Sequence, residues 1–191
     1  MTVVVFSIGN PGPSNRHSVG HQALAQLSLH AKQLTKHKLY SLVVDSDGTV
    51  FARSGSYMNE SQRAFDAMIK DNRINLAHDA IFVVFDDFEL ALGKVRLAEF
   101  KKNESHNGVK CIHNWLQQQG LDHNVYKLGI GIGPKPQNAS KDTMAAWVLS
   151  DFKPEEKLRL KDEVWPKLHQ ALEAIGDGES INCQAITKQI N

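Results

Sequence analysis

Cysteine is scarce in this sequence of 191 residues, which contains only Cys111 and Cys183. The two are far apart and form no Cys-x-x-Cys spacing, so the sequence excludes a disulfide framework and a cysteine-based zinc site. So few cysteines, and none in a framework, are typical of proteins from a reducing compartment.

Long hydrophobic stretches are also missing, and the longest unbroken apolar run spans only a few residues. A membrane-spanning helix needs about 20 apolar residues, so we expect no membrane partner. The segment from Met1 to Ile8 is apolar but uncharged, unlike a secretory signal or an Arg-rich mitochondrial presequence. We therefore expect a cytoplasmic or mitochondrial protein, without choosing between the two.

Net charge is close to zero, because 22 Lys and Arg residues offset 21 Asp and Glu residues to give +1 at pH 7. The total charge therefore gives no sign of a polyanionic partner. Basic residues nevertheless gather in two stretches, 94–110 and 126–141. Such patches suggest a phosphate-bearing ligand, although solvated loop lysines explain them equally well.

The composition, 41% hydrophobic and 23% charged, is typical of a globular domain, and strand and helix patterns alternate along it. The predicted strands are 3–8, 39–44, 50–54, 80–85, 93–97 and 125–132. Helices are predicted over 19–34, from 59, around 109–116 and from 154, the last divided by Pro166. We predict a single α/β domain over residues 1–191, a three-layer α/β/α sandwich with a mixed, mostly parallel central sheet.

Polar side chains of an unusual kind follow the predicted strands. Asn10 and His17 come after the first strand, and Asp86 is expected to end a later apolar strand. The loops before two helices contribute Asn59, within a capping-box pattern, and Asn107. Because ligands of open α/β sheets bind beyond the carboxyl ends of the strands, we expect these side chains along one edge.

Each of these residues also has a purely structural interpretation. Asn10 lies in an Asn-Pro-Gly turn, Asn59 suits a helix N-cap, and most histidines are not catalytic. The sequence lacks Gly-x-Ser-x-Gly, Walker and His-Glu-x-x-His motifs, which argues against those hydrolase, nucleotide and metal sites. A metal-free hydrolase is left, in which His17 takes a proton from water, Asp86 orients the imidazole, and carboxamides hold the ester and oxyanion.

Seven short motifs occur in the order and rough spacing of the bacterial-type peptidyl-tRNA hydrolase family. They are GNPG at 9–12, RHSVG at 16–20, YMN at 57–59, FDDFE at 85–89, GKVR at 93–96, HNGVK at 106–110 and GIG at 131–133. None is decisive alone, but their order is specific, and the chain from residue 3 to about 152 resembles this family.

The resemblance implies a monomeric α/β/α enzyme that hydrolyses the ester between a peptide and the 3′ end of tRNA, which recycles the tRNA. It implies peptidyl-tRNA as the partner and neither a metal nor an organic cofactor. The residues that it assigns to catalysis are His17 as the base, Asp86 as its support, and Asn10. The residues that it assigns to substrate binding are Asn59, Asn107, Tyr57, Met58 and His106.

Basic side chains hold tRNA phosphates in the family that this sequence resembles, and here the sequence departs from it. Ala98 and Gly129 replace basic residues, and Phe100–Ser105 stands in place of a glycine-rich stretch. The remaining basic residues are therefore the predicted phosphate contacts: Lys94, Arg96, Lys101, Lys102 and Lys127.

Two other functions stay open on the sequence alone. A non-catalytic RNA-binding relative would keep the fold and the basic patches, although binding alone does not need an imidazole–carboxylate pair. A small ester or amide hydrolase that does not bind RNA is favoured only by Ala98 and Gly129. Binding of tRNA to a His17→Ala protein would separate this last possibility from the other two.

Overall fold

Seven strands form one mixed sheet in the computed structural model, which describes residues 1–120, 124–176 and 180–191. They are β1 (Val3–Ser7), β2 (Thr35–Lys36), β3 (Tyr40–Val44), β4 (Val50–Ser54), β5 (Ala80–Ala91), β6 (Val95–Glu99) and β7 (Val125–Gly133). Their order across the sheet is β2-β3-β4-β1-β5-β7-β6. The central strands β4, β1, β5 and β7 pair in parallel, whereas β2, β3 and β6 are antiparallel to their neighbours.

Helices pack on both faces of the sheet. They are α1 (Val19–Leu27), α2 (Ser61–Asp71), α3 (Asn107–Gln119), α4 (Lys141–Leu149), α5 (Pro154–Arg159), α6 (Trp165–Gly176) and α7 (Cys183–Ile190). On one face Leu24 of α1, Leu168 of α6 and Ile186 of α7 join one apolar cluster. On the other face Phe65 of α2 and Ile112 of α3 join a second.

The apolar β1 sequence explains why the core has these two halves. Successive side chains of a strand point to opposite faces, and Val5 enters one cluster while Val4 and Phe6 enter the other. The predicted α/β class with a mixed sheet between helical layers is confirmed, its parallel part being the four central strands. No helix within the described ranges is long and apolar enough to cross a membrane. The single domain over 1–191 stays a prediction.

Strand β5 is longer than predicted and runs through Asp86 and Asp87 to Ala91. The acidic pair does not end it because the fold satisfies both carboxylates. Asp86 contacts two histidines and Asp87 contacts Arg96, while the backbone stays paired with β7 at both positions. The prediction that this strand stops at Phe85 is therefore wrong, and Asp86 is held by the sheet rather than by a loop.

Two helix boundaries also differ from the predictions. Helix α1 ends at Leu27, although the apolar spacing continues to Leu34. Ser28 leaves the helical conformation, its Oγ donates to the Leu24 carbonyl (2.8 Å), and a turn follows. The capping box predicted at 59–62 is wrong, since a 3₁₀ turn precedes α2 and no side chain caps that helix.

The C-terminal helical segment is divided near Pro166, as predicted. A π-helical turn at Leu160–Val164 separates α5 from α6, and Pro166 lies in the first turn of α6. The π-helical turn runs directly into α6, with Trp165 N–H donating to the Leu160 carbonyl.

Gly20 brings the start of α1 directly against the edge of the sheet. A Cβ atom at this position would lie 2.6 Å from the carbonyl oxygens of both Ile8 and Val84. Only glycine fits such an approach, so α1 begins at the carboxyl ends of β1 and β5. The 3₁₀ turn Arg16–Ser18 that precedes α1 is thereby held over the same edge.

Candidate active site

A cleft of about 860 Å³ opens at the carboxyl ends of β1 and β5. The loop after β1, the 3₁₀ turn Met58–Glu60 and the start of α3 line one part, and α4 with its preceding loop lines the other. The predicted site residues that line this cleft are Asn10, His17, Tyr57, Met58, Asn59, His106 and Asn107. Its position follows the general rule for ligand sites of open α/β sheets.

His17 and Asp86 meet at this cleft, with His17 Nδ1 and Asp86 Oδ2 2.7 Å apart. The Asp86 side chain has no exposed surface, whereas 16% of the His17 side chain is exposed. An ionised carboxylate only accepts hydrogen bonds, so Nδ1 of His17 is the donor and its Nε2 keeps a free lone pair. This tautomer is the one that a general base requires.

His106 holds the other oxygen of the same carboxylate. Its Nε2 lies 2.8 Å from Asp86 Oδ1, while the backbone N–H of Val109 donates to its Nδ1 at 3.3 Å. Because Nδ1 accepts that bond, the proton sits on Nε2 and is donated to Asp86. Both nitrogens are therefore used inside the protein. His106 orients Asp86 and contributes its ring surface to the cleft, and its role in substrate binding stays a prediction.

The environment of Asp86 keeps it ionised. Burial alone would raise its pKa, but His106 and then His17 oppose this through electrostatic attraction and hydrogen bonds, and together they lower the pKa to about 2. A negative carboxylate between two imidazoles favours the charged form that His17 takes after accepting a proton.

The amide of Asn10 is oriented by the backbone of the facing turn. Met58 N–H donates to Asn10 Oδ1 at 3.0 Å, so the Nδ2 group is directed elsewhere and is the donor that Asn10 offers. Met58 itself is buried and touches the start of α3, where a Cβ on Gly108 would lie 2.5 Å from its Sδ. The Met58 backbone thus positions Asn10, while the Met58 side chain packs against the start of α3.

Three other predicted binding residues are exposed at the rim of the cleft. Tyr57 is 67% exposed, which is unusual for an aromatic ring, and Asn59 follows it in the 3₁₀ turn. Asn107 is exposed at the first position of α3. Their side chains can therefore reach a ligand without any rearrangement of the core.

The far wall of the cleft was not predicted. Helix α4 has no buried residue, yet Met144, Ala145, Val148 and Leu149 line the cleft and give it an apolar side. Their spacing is that of a helical stripe, which the sequence contains but which we did not assign to a site.

His17, Asp86 and His106 are also close enough to be considered as metal ligands, since one donor atom from each lies within 4.8 Å of the others. Here the two imidazole nitrogens point at the carboxylate oxygens in hydrogen-bond geometry. A metal ion would have to replace both of these hydrogen bonds. The donors fit a proton-transfer site as arranged.

Comparison with known proteins identifies the family. The peptidyl-tRNA hydrolase family model matches residues 4–191. This chain belongs to the peptidyl-tRNA hydrolase family. The relatives include a peptidyl-tRNA hydrolase of Fervidobacterium nodosum, 31% identical over 91% of this chain and 88% of that one. Another, from Prochlorococcus marinus subsp. pastoris, is 33% identical over 91% of this chain and 87% of that one.

A solved peptidyl-tRNA hydrolase structure shares the fold. The crystal structure of the Acinetobacter baumannii protein superposes with a TM-score of 0.75, covering 100% of this chain and 94% of that chain at 22% identity. The sequence resemblance to the peptidyl-tRNA hydrolase family is therefore confirmed, and the three-layer architecture with it.

Three of the five basic residues predicted to contact tRNA phosphates lie within 4.0 Å of a carboxylate. Arg96 Nη2 lies 2.6 Å from Asp87 Oδ2, and Lys101 Nζ lies 3.9 Å from Glu89 Oε2. A Cβ on Gly129, which faces Arg96 across the strands, would lie 2.9 Å from Asp87 Oδ2. The Asp87 carboxylate therefore occupies the space beside Gly129.

Lys127 does not have the position that a phosphate contact needs. Its Nζ lies 2.6 Å from Glu104 Oε1, and both side chains are buried. The tRNA contact of Lys127 stays a prediction, and this burial argues against it, because separating a buried ammonium from its carboxylate would carry a large desolvation cost. Two other lysines of the basic stretch 126–141, Lys135 and Lys141, line the cleft, although we did not predict them as phosphate contacts.

We expect a pH-dependent loss of stability from His21, one turn after His17. Burial, and then the charge of Arg53, lower its pKa to about 3, and its Nδ1 lies 2.8 Å from Ser7 Oγ. Folded His21 stays neutral below pH 6.5 whereas unfolded His21 takes up a proton, so the free energy of unfolding should fall as the pH decreases from about 6.5 towards 3. Between pH 7 and 5 we expect a loss of about 1–2 kcal/mol.

Urea denaturation of the wild type and of His21→Gln at pH 7 and pH 5 measures this effect. The variant starts from a lower stability but should lose much less between the two pH values. Equal losses in the two proteins would show that another group causes the acid sensitivity.

Proposed function

We propose that this chain hydrolyses the ester bond between a peptide and the 3′ end of tRNA. The observation that carries the proposal is the His17–Asp86 pair, which leaves Nε2 of a partly exposed imidazole free beside a large cleft. Membership of the peptidyl-tRNA hydrolase family supports the same reaction. The substrate is then peptidyl-tRNA, and recycling of the tRNA is the outcome.

In the proposed reaction, His17 Nε2 takes a proton from a water molecule as the water oxygen attacks the ester carbonyl. Asp86 stabilises the resulting imidazolium. The tetrahedral intermediate collapses, the bond to the 3′ oxygen of the tRNA breaks, and the proton on Nε2 moves to that oxygen. The products are a peptide with a free carboxylate and a tRNA with a free 3′ hydroxyl.

The carboxamides stabilise and hold the reacting groups in this proposal. Asn10 Nδ2 is the donor for the oxyanion, because Met58 N–H fixes the opposite end of the amide. Asn59 and Asn107 hold the peptide backbone and the 3′ nucleotide from the rim. The exposed ring of Tyr57 provides a surface for stacking of a base.

The apolar side of the cleft suits the peptide part of the substrate. Met144, Val148 and Leu149 present aliphatic surface without fixed hydrogen-bonding groups, so many peptide sequences can be accepted. Specificity for a peptidyl-tRNA then comes from the ester and the tRNA end rather than from a particular side chain.

A comparison of two substrates with the same labelled peptide tests the proposed function. One is a peptidyl-tRNA and the other a short ester that lacks the tRNA body. We expect rapid release of peptide from the first and much slower release from the second. Equal release from both would identify a small-ester hydrolase, and binding of tRNA without release would identify an RNA-binding relative.

The double substitution Lys101→Ala with Lys102→Ala should weaken tRNA binding. Both side chains are exposed on the segment that follows β6, and Lys101 Nζ lies 3.9 Å from Glu89 Oε2 in the last part of β5. Each lost phosphate contact should reduce the slope of log affinity against log salt by roughly 0.7–0.9. We expect turnover at low peptidyl-tRNA concentration to fall, while cleavage of the short ester is unchanged.

Lys32→Ala with Lys36→Ala serves as the control for that double substitution. It also removes two exposed lysines, but beside the edge strand β2 at the other side of the sheet. If the Lys101 and Lys102 double variant keeps the wild-type salt slope, these lysines do not contact tRNA, and Lys94 and Arg96 become the remaining predicted contacts.

We also propose that the chain acts as a monomer with a single domain. The substrate requires a compartment in which translation takes place, which agrees with the expected cytoplasmic or mitochondrial location. Light scattering of the purified protein tests the monomer directly, and a mass of twice 21.3 kDa would contradict it.

A further inference from the structure

The side chain of Arg16, next to the proposed base, donates five hydrogen bonds through its two terminal nitrogens, while its buried Nε has no partner among the described residues. Its Nη1 donates to Ser150 Oγ at 2.8 Å, to the Asp151 carbonyl at 2.7 Å and to the Ser150 carbonyl at 3.3 Å. Its Nη2 donates to both carboxylate oxygens of Glu156, at 3.0 and 2.8 Å. Only 6% of the Arg16 side chain is exposed.

These acceptors all follow α4 in the chain: Ser150 and Asp151 come directly after it, and Glu156 lies in α5. The guanidinium is also flanked by two aromatic rings of this region, with its Cζ 5.5 Å from the Trp147 ring centroid and 5.3 Å from that of Phe152. The backbone of Arg16 adds a further link, because its N–H donates to the Ser150 carbonyl at 3.1 Å.

Helix α4 depends on such an anchor. It is nine residues long and has no buried residue, and Trp147 and Val148 pack against the core cluster only while partly exposed, so its own packing contributes little to fixing its position. The 3₁₀ turn Arg16–Ser18 is the element that α4 mainly packs against. His17 in this turn therefore lines the cleft, while the neighbouring Arg16 contacts the C-terminal end of α4 and the residues that follow it.

We propose that Arg16 is a positioning residue that sets the distance between the apolar wall of α4 and His17, and thereby determines the affinity for the peptide part of the substrate. This inference rests on the proposed hydrolysis of peptidyl-tRNA. The side chain holds the wall, whereas the backbone of the turn and the Asp86 contact hold His17. Loosening the side-chain contacts should therefore weaken substrate binding and leave the chemical step intact.

Glu156→Gln is the mildest test of this role. The glutamine keeps the size of the side chain and one acceptor for Arg16, but it removes the charged bidentate contact. Arg16→Lys is the stronger variant, because an ammonium cannot serve acceptors in this fan-shaped arrangement. The controls are Glu163→Gln and Arg159→Lys, which change an exposed Arg–Glu pair between α5 and the following π-helical turn, with Arg159 Nε 2.9 Å from Glu163 Oε1.

The experiment measures kcat and KM on two peptidyl-tRNAs, one with a large apolar peptide and one with acetylglycine. With Glu156→Gln we expect KM for the apolar peptide to rise about tenfold. We expect kcat and the pH profile to stay at wild-type values, and KM for acetylglycyl-tRNA to change much less. Arg16→Lys should show the same pattern with a larger effect, and both controls should match the wild type.

Three results would overturn the inference. Unchanged KM in Glu156→Gln would show that the ion pair does not set the wall. A fall in kcat with a shifted pH profile would show that Arg16 acts on His17 instead. An equal rise of KM for both peptides would place the effect on the tRNA end. If the wild type itself does not release peptide from tRNA, the proposed function fails rather than the role of Arg16.

Discussion

Replacing His17 by alanine should lower the rate of peptidyl-tRNA hydrolysis by about 10²–10⁴-fold, the contribution expected of a positioned general base. The imidazole is the group at the cleft that has a free nitrogen lone pair and an ionised carboxylate behind it. The substitution empties no part of the core, because His17 lines an open cleft. The folded state and the affinity for tRNA should therefore stay close to those of the wild type.

Single-turnover release of labelled peptide measures the chemical step, and tRNA binding is measured on the same protein. His30→Ala, at an exposed histidine after α1, is the control and should release peptide at the wild-type rate. An active His17→Ala protein would refute the mechanism. His106 could not then be named as the replacement base, since both of its nitrogens are already bonded inside the protein.

The fold was largely predictable because its main elements have simple sequence patterns. The apolar run of β1 predicts a strand buried on both faces, and the structure divides Val4 and Val5 between two core clusters. The end of β5 could not be predicted in the same way. In the sequence, Asp86 and Asp87 look like residues that end a strand. The two partners that hold Asp86 in the strand, His17 and His106, lie 69 and 20 residues away along the chain.

The site residues whose role depends on the type of side chain could be predicted from the sequence. The residues whose role depends on which charged side chains lie beside them could not. His17, Asp86 and Asn10 carry distinctive groups at strand ends, and the structure brings them to one edge. Whether a lysine can meet a phosphate depends instead on its neighbours. Lys127 looks like a free cation in the sequence, but Glu104, 23 residues away along the chain, buries and neutralises it.

Arg16 is a residue to which the sequence analysis assigned no role, although the structure gives it many contacts. In the sequence Arg16 is simply the residue before His17, and nothing local shows that its acceptors lie 134–140 residues further along the chain. Long-range contacts of this type follow from tertiary packing, which a pattern of apolar residues specifies only for the core.

Asp86→Asn should lower the hydrolysis rate by a similar factor of about 10²–10⁴, but for a different reason. Two imidazole N–H groups each donate a hydrogen bond to this carboxylate, and an asparagine has only one oxygen to accept such a bond. His106 must keep its proton on Nε2 because Val109 N–H occupies its Nδ1, so His106 retains the oxygen. The amide NH₂ of the asparagine then faces His17 Nδ1, which must accept a hydrogen bond. His17 therefore takes the tautomer with its proton on Nε2.

The variant would thus be folded, with His17 in the tautomer that cannot accept a proton from water. Nitrogen NMR of imidazole-labelled protein should show Nε2 of His17 protonated in Asp86→Asn and Nδ1 protonated in the wild type at the same neutral pH. Asp66→Asn, at a carboxylate that pairs with Lys70 on the surface of α2, is the control and should change neither the tautomer nor the rate. A slow Asp86→Asn enzyme with an unchanged His17 tautomer would mean that the lost negative charge, rather than the misplaced proton, causes the defect.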